Sequence, residues 1–253
     1  MRMTEQMTIP PGLPLITFRG VTIQLGERRI LKHIDWEIRS DEQWAIVGAN
    51  GSGKSVLARA LYGAAPAVGG EIIHHFGGRR APEEVIAHVS FADQQRLICG
   101  RSSYYQSRWN SVENGDALTA GEFLSDFIAG RRGGRSTGER GCGRAEIVEQ
   151  LCLEHVLDRK VTCLSNGEIR KLLIAQALLR APLLLILDDP FIGLDRLSRQ
   201  RMKKIFSTLM KGAGRIVFIT SRVDEIPAGI THMLLLENGR IARIGEKTSV
   251  LES

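Results

Sequence analysis

Residues 48–55 read Gly48-Ala49-Asn50-Gly51-Ser52-Gly53-Lys54-Ser55, and they lie between the apolar run QWAIV and the helically spaced KSVLARALYG. The octet fits G-x-x-x-x-G-K-[ST] in the setting that gives the pattern meaning, a strand before it and a helix after it. No other stretch of the chain restricts the fold as much. A strand, a tight glycine turn and a helix must follow one another, and the turn must aim its backbone N–H groups inward. The starting helix adds the positive end of its dipole, so the loop is built for phosphate. Gly48, Asn50, Gly51, Ser52 and Gly53 are expected to form the cradle, Lys54 to reach the β- and γ-phosphates of a nucleotide, and the Ser55 hydroxyl to ligate Mg²⁺.

The rest of the chain is organised around that unit. ITFRGVTIQL and ILKHIDWEI are rich in β-branched residues, and Ile30, Ile34, Trp36 and Ile38 share one face at period two, with Gly26–Arg29 as the turn. EIIHHF and EEVIAHVSF read as further strands; His74 and His75, being adjacent, point to opposite faces and make no metal pair. GEFLSDFIAG, AEIVEQLCLEHVL, GEIRKLLIAQALLR and RLSRQRMKKIFSTLM are spaced as helices. LLLIL and RIVFIT are strands, and HMLLLENGRIARIG is a hairpin turning at Asn238-Gly239. The expected fold is α/β, a phosphate-loop nucleoside triphosphatase with a mostly parallel sheet, an antiparallel β-subdomain and a helical subdomain at about 96–180. Residues 1–14 form a flexible leader, 15–253 a single domain, and the Arg/Gly-rich segment 130–144 a solvated loop.

Composition narrows the setting. The chain has 253 residues, 43% hydrophobic and 25% charged, which suits a globular protein with a sizeable core and excludes general disorder. No apolar run approaches the roughly 20 residues of a spanning helix, and the N-terminus lacks the apolar core of a signal peptide, so a cytoplasmic location is expected. Cys99, Cys142, Cys152 and Cys163 form no CxxC pair and read as reduced thiols. The net charge of +6 permits anionic partners without selecting one.

A second element completes the phosphate site. The strand LLLIL ends in Asp188-Asp189-Pro190, which delivers carboxylates to the carboxyl edge of the sheet, where α/β proteins bind ligands. Asp188 is placed to hold the Mg²⁺ shell and Asp189 to orient a water. Shortly before it, Leu164-Ser165-Asn166-Gly167-Glu168 resembles the LSGGQ signature of ATP-binding cassette (ABC) ATPases. Gln94 or Gln95 resembles their Q-loop, with Gln94 the candidate for Mg²⁺ and water, and Gly193-Leu194-Asp195 resembles their D-loop. The chain is identified as a member of that family from about residue 16 onward. Within it, LSNGE, VSFADQQ and SSYYQSRWNS are similar to the molybdenum-transport or photorepair type of soluble cassette.

The resemblance implies MgATP as ligand and a head-to-tail pair of cassettes, in which Ser165, Gly167 and Asp195 of one chain serve the nucleotide of the other. Ser165 would also cap the helix that follows it. A membrane permease is the expected further partner, and nucleic acid is not expected. The alternative is a soluble regulatory or nucleic-acid-associated cassette. The signature and Q-loop disfavour a kinase, and the lack of an NKxD string disfavours a GTPase. Five arginines, Arg131, Arg132, Arg135, Arg140 and Arg144, fall where relatives dock on the permease, although a solvated loop is the favoured account of them.

Three positions depart from the family pattern. Asp189 replaces the usual glutamate, retracting the carboxylate by about 1.5 Å where a misplacement of about 1 Å costs roughly a hundredfold in rate. Ser221 replaces the switch histidine and cannot carry its charge. Leu25 falls where an aromatic would stack on adenine. The expectation is competent binding with slow hydrolysis.

Overall fold

The computed structural model describes residues 10–76, 81–95, 118–130, 143–212 and 214–252. Most of the expected leader, the segment SSYYQSRWNS, nearly all of the Arg/Gly-rich loop, Cys99 and Cys142 lie outside the described residues.

The chain divides into two compact units, one of Met1–His88, Pro182–Asp189 and Phe206–Ser253, the other of Val89–Ala181 and Pro190–Ile205. In the first, β1 (Pro14–Leu25) pairs antiparallel with β2 (Arg28–Arg39) and with β4 (Gly69–His74), in the order β2-β1-β4. A larger sheet takes the order β5-β6-β7-β3-β8-β9, from β3 (Trp44–Val47), β5 (Ile86–Ser90), β6 (Leu184–Asp188), β7 (Arg215–Thr220), β8 (His232–Glu237) and β9 (Arg240–Glu246). Strand β3 runs parallel to β7 and β8, β6 runs parallel to β7, and β8 and β9 form an antiparallel hairpin. Helix α1 (Lys54–Leu61) leaves the loop after β3, and the short α2 (Pro82–Val85) precedes β5. One apolar core joins Ile16, Phe18, Ile34 and Trp36 of the antiparallel sheet to Leu57 and Leu61 of α1 and to Ile46, Ile186 and Val217 of the larger sheet.

The period-two face of β2 is interrupted. His33 adopts φ 51°, a register shift falls between Val21 and Ile23 of the partner strand, and Leu31 is buried while Ile30 is only half-buried. The bulge inserts one residue and moves the inward face from Ile30 to Leu31. EEVIAHVSF also splits, Glu83 to Val85 being helical and only Ile86–Ser90 extended.

The second unit carries α3 (Ala120–Gly130), α4 (Arg144–Gln150) and α5 (Asn166–Leu178), and α6 (Arg196–Leu209) begins in it. The segment AEIVEQLCLEHVL is no single helix: α4 stops at Gln150, Cys152 takes φ 50°, and a 3₁₀ turn follows at Glu154–Val156. Cys152 and Cys163 are exposed free thiols. A C-terminal α7 (Lys247–Glu252) ends the chain. Among the described residues no helix is long and apolar enough to cross a membrane, and no group of His, Cys, Asp and Glu has a metal-site arrangement.

Candidate nucleotide-binding site

Strand β3 is fully buried and ends at the octet, so the loop leaves the sheet at its carboxyl edge. Gly53 takes φ 108°, a conformation that side chains oppose, and this turns the chain from loop into helix. Its carbonyl accepts the N–H groups of Val56 (3.0 Å) and Leu57 (2.9 Å), which starts α1. Ser52 and Lys54 are buried, whereas Asn50, Gly51 and Ser55 are exposed. The Lys54 ammonium donates to the carbonyls of Gly48 (2.8 Å) and Ala49 (3.0 Å), so it lies across the loop mouth. The Ser52 hydroxyl is buried with no hydrogen-bond partner. A buried hydroxyl of this kind costs about 1–3 kcal/mol until something satisfies it. The loop is braced by the β8–β9 turn, where the Gly239 N–H donates to the Ser52 carbonyl (3.1 Å) and the Lys32 N–H donates to the Gly239 carbonyl (2.8 Å).

Asp188 closes β6 and is buried, and its Oδ1 has no hydrogen-bond partner. Its Oδ2 lies 3.9 Å from His88 Nε2 on β5, and the His88 ring stacks on Tyr62 with 5.3 Å between centroids. Asp189 follows in a left-handed conformation, φ 47°, with its own N–H donating to the Ile219 carbonyl (2.9 Å). Burial pushes the Asp189 carboxyl above the usual aspartate range, as do the Asp188 and Glu225 charges; Lys54 and the Ser221 N–H pull it back down. Ser221 is exposed at the end of β7. The preceding Thr220 is fully buried and donates its hydroxyl to Glu225 (3.0 Å), fixing that corner. Asp188, Asp189 and Ser221 therefore belong with the phosphate loop in one unit.

Gln94, Ser165, Gly167 and Asp195 belong to the other unit. Ser165 is the N-cap of α5 in a capping box: its hydroxyl oxygen accepts the Glu168 N–H (3.3 Å), and the Glu168 carboxylate accepts the Ser165 N–H (2.7 Å). Partial burial would raise the Glu168 pKa, but the Ser165 N–H and hydroxyl, with Arg159 and His155, hold it below the usual range. Asp195 accepts the N–H (2.9 Å) and hydroxyl (2.7 Å) of Ser198, which holds its carboxyl below the ordinary aspartate pKa. A Cβ at Gly167 would sit 3.6 Å from Leu194 Cδ2 and 4.0 Å from Ser198 Oγ, so signature and D-loop adjoin within this unit.

Gln94 is nearly inaccessible, 1% exposed. Its Oε1 accepts both Nε (3.1 Å) and Nη2 of Arg170, and its Nε2 donates to Asn166 Oδ1 (3.1 Å). Two Arg170 nitrogens thus share that oxygen, and the Gln94 amide is engaged at both ends within its own unit. Gln95 is exposed.

Residues 31–192 match the family described as ABC transporter, well over half of the chain. The chain belongs to the ABC transporter family. ABC transporter ATP-binding protein ModF of Escherichia coli is 33% identical over 238 residues, which cover 91% of this chain but only 44% of ModF. The zinc import ATP-binding protein ZnuC of Halorhodospira halophila is 31% identical over 242 residues, covering 94% of this chain and 80% of ZnuC. In fold, this ABC protein resembles CbiO1 of Clostridium perfringens, part of the ABC transporter complex CbiONQ, with TM-score 0.76 at 20% identity over 95% and 91% of the two chains. A nucleotide-free ATP-binding cassette gives TM-score 0.67 at 20% identity. The α/β phosphate-loop fold is thereby shown.

Two residues of this ABC protein were silent in its sequence. His88 meets Asp188 only because β5 and β6 are neighbours, a pairing between residues one hundred positions apart. Glu225 reaches Thr220 through a 3₁₀ turn. Only the alternation of IAHVS, which sets His88 on the less buried face, pointed toward the first. Leu25 is 43% exposed and offers no ring for stacking.

Proposed function

We propose that this chain is the ATP-binding subunit of an ABC transporter. It binds MgATP, pairs head-to-tail with a second cassette and drives a membrane permease from the cytoplasmic face. Domain 15–253 acts as one cassette. The observation that carries the reading is the phosphate loop itself, with Lys54 across its mouth and a buried, unsatisfied Ser52 hydroxyl facing no partner in the protein.

Oxygen donors suit Mg²⁺, and the chain offers the exposed Ser55 hydroxyl and the unpartnered Asp188 Oδ1. When bound, the ion neutralises charge on the β- and γ-phosphate oxygens. Lys54 exchanges two carbonyl contacts for phosphate oxygens, and the inward N–H groups of the loop hold the chain of phosphates. Asp189 accepts a hydrogen bond from the attacking water and Ser221 lies beside it. Both are poorer at handling water than glutamate and histidine, so binding is normal and turnover slow. Ser165 and Gly167, at the end of α5, and Asp195 serve the nucleotide of the paired cassette. ZnuC is a zinc importer's ATP-binding protein, and its coverage of nearly all of this chain supports a transport role.

Fluorescence titration of a labelled ATP analogue with and without Mg²⁺ tests the reading. Wild type is expected to bind in the micromolar range typical of enzyme substrates, and Lys54→Ala to bind at least roughly a hundredfold more weakly. Equal binding by the two proteins would refute it. Co-purification with a membrane protein containing several spanning helices tests the permease partnership.

A further inference from the structure

The signature turn of this chain differs from LSGGQ in having Asn166 where the pattern has glycine, and that side chain is gripped. Gln94 Nε2 donates to Asn166 Oδ1 at 3.1 Å and lies 3.5 Å from the Asn166 carbonyl. Gln94 does not choose this pose alone. Its other end is held by Arg170, one helical turn beyond Asn166 on α5, through Nε and Nη2. Arg170 is 2% exposed and its guanidinium lies 5.8 Å from the Phe91 ring centroid. An arginine buried to this degree is uncommon unless its donors are used.

The segment that carries Gln94 is fixed locally as well. Ser90 and Asp93 exchange hydrogen bonds, the Asp93 carboxylate accepting the Ser90 N–H (2.9 Å) and hydroxyl (2.7 Å), and the Ser90 hydroxyl accepting the Asp93 N–H (3.2 Å). This reciprocal cap starts the helical turn at 91–95 and leaves Gln94 facing inward. The guanidinium is planar with its donors in a fixed fork, so it orients the Gln94 amide: oxygen toward Arg170, nitrogen toward Asn166. An amide without that fork has two orientations of similar shape, and the flipped one would set oxygen against oxygen at Asn166.

We infer that Arg170 and Gln94 are positioning residues for the signature turn: Arg170 orients the Gln94 amide, and Gln94 holds Asn166 so that Ser165 and Gly167 are presented in a fixed geometry at the end of α5. The inference rests on the proposed reading of that turn as a nucleotide-contacting element. It adds the residues that set the turn's geometry.

Hydrogen exchange on the intact chain tests it without requiring turnover. The Glu168 and Ile169 amides, bonded to the Ser165 hydroxyl and carbonyl, report the turn. Gln94→Glu keeps an acceptor for Arg170 but has no donor for Asn166, and it is expected to speed exchange at those amides roughly tenfold, the effect of losing one hydrogen bond. Peptides from residues 48–55 should be unchanged. Arg170→Met should do the same, and if it fails to fold the glutamate variant still decides. In wild-type protein that turns ATP over, Gln94→Glu should lower kcat while leaving KM for ATP within about twofold, since only a shared step is impaired. Unaltered exchange at Glu168 and Ile169 in Gln94→Glu overturns the inference. Absence of ATP binding by wild type refutes the proposed function instead, and the exchange result stands apart from it.

Discussion

The Asp189 carboxylate accepts a hydrogen bond from the backbone N–H of Ser221. Two of the positions at which this chain departs from the ABC pattern therefore touch one another. A backbone donor serves any residue at position 221, so the contact survives the loss of the histidine. It tethers a carboxylate that is already one methylene short, and the pair behaves as a single altered feature.

Lengthening that side chain should trade stability for rate. Asp189→Glu restores the reach of the carboxylate and is expected to raise single-turnover hydrolysis by at least roughly tenfold. The residue sits at φ 47°, which aspartate tolerates better than glutamate, so about 1 kcal/mol of stability should be lost. Quenched-flow hydrolysis and thermal unfolding, with a fall in Tm of about 2–4 °C, check the two halves.

The raised pKa of Asp189 gives a pH signature in metal-free buffer. A carboxyl that holds its proton more tightly in the folded chain favours folding at low pH, and this contribution is lost as pH rises through the folded-state pKa. Asp189→Asn, which cannot ionise, should therefore be more stable than wild type near neutral pH. The advantage should fade toward the ordinary value of 3.8, where wild type is protonated in both states. Urea denaturation of both proteins between about pH 4 and about pH 8 measures it, and a gain that instead grows on acidification would contradict the sign.

Removing the helix cap should separate stability from nucleotide binding. Ser165→Ala loses the contact to Glu168 and is expected to cost about 1 kcal/mol, read from urea unfolding. Affinity of the unpaired chain for the labelled ATP analogue, measured by dilute fluorescence titration, should stay unchanged, because the cap belongs to the other unit and serves only a paired cassette.

A methyl group at position 239 should be felt at the phosphate loop. A Cβ there would lie 1.9 Å from the Ile30 carbonyl oxygen, and the residue has φ 77°. Gly239→Ala is expected to cost more than about 1 kcal/mol and to weaken ATP-analogue binding, since the turn must withdraw from Ser52. Calorimetric titration checks the affinity.

What the sequence disclosed was mostly local. The octet at 48–55, the strand ending in Asp188 and the Asn238-Gly239 turn each have their conformation written into neighbouring residues; Asn238 and Gly239 adopt φ 49° and 77°, the pair of positive values a tight hairpin needs. The bulge at His33 escaped because period two is assumed until a partner strand imposes a shift, and the break at Cys152 because its apolar spacing continues past the helix. The partners of Gln94 and Asp188 escaped for a different reason. Arg170 and His88 act through strand adjacency and helix docking, which no local pattern encodes, and an arginine in the middle of a helical segment reads by default as solvated.

The brace on the phosphate loop also has a temporal consequence. Ser52 is supported by Gly239, and Gly239 in turn by Lys32, so the loop acquires its shape from a segment synthesised well after it. A nascent chain that has emerged only through β7 already contains every residue of the octet yet lacks the turn that rests on it. Nucleotide capture on the ribosome should thus wait until the β8–β9 hairpin has closed.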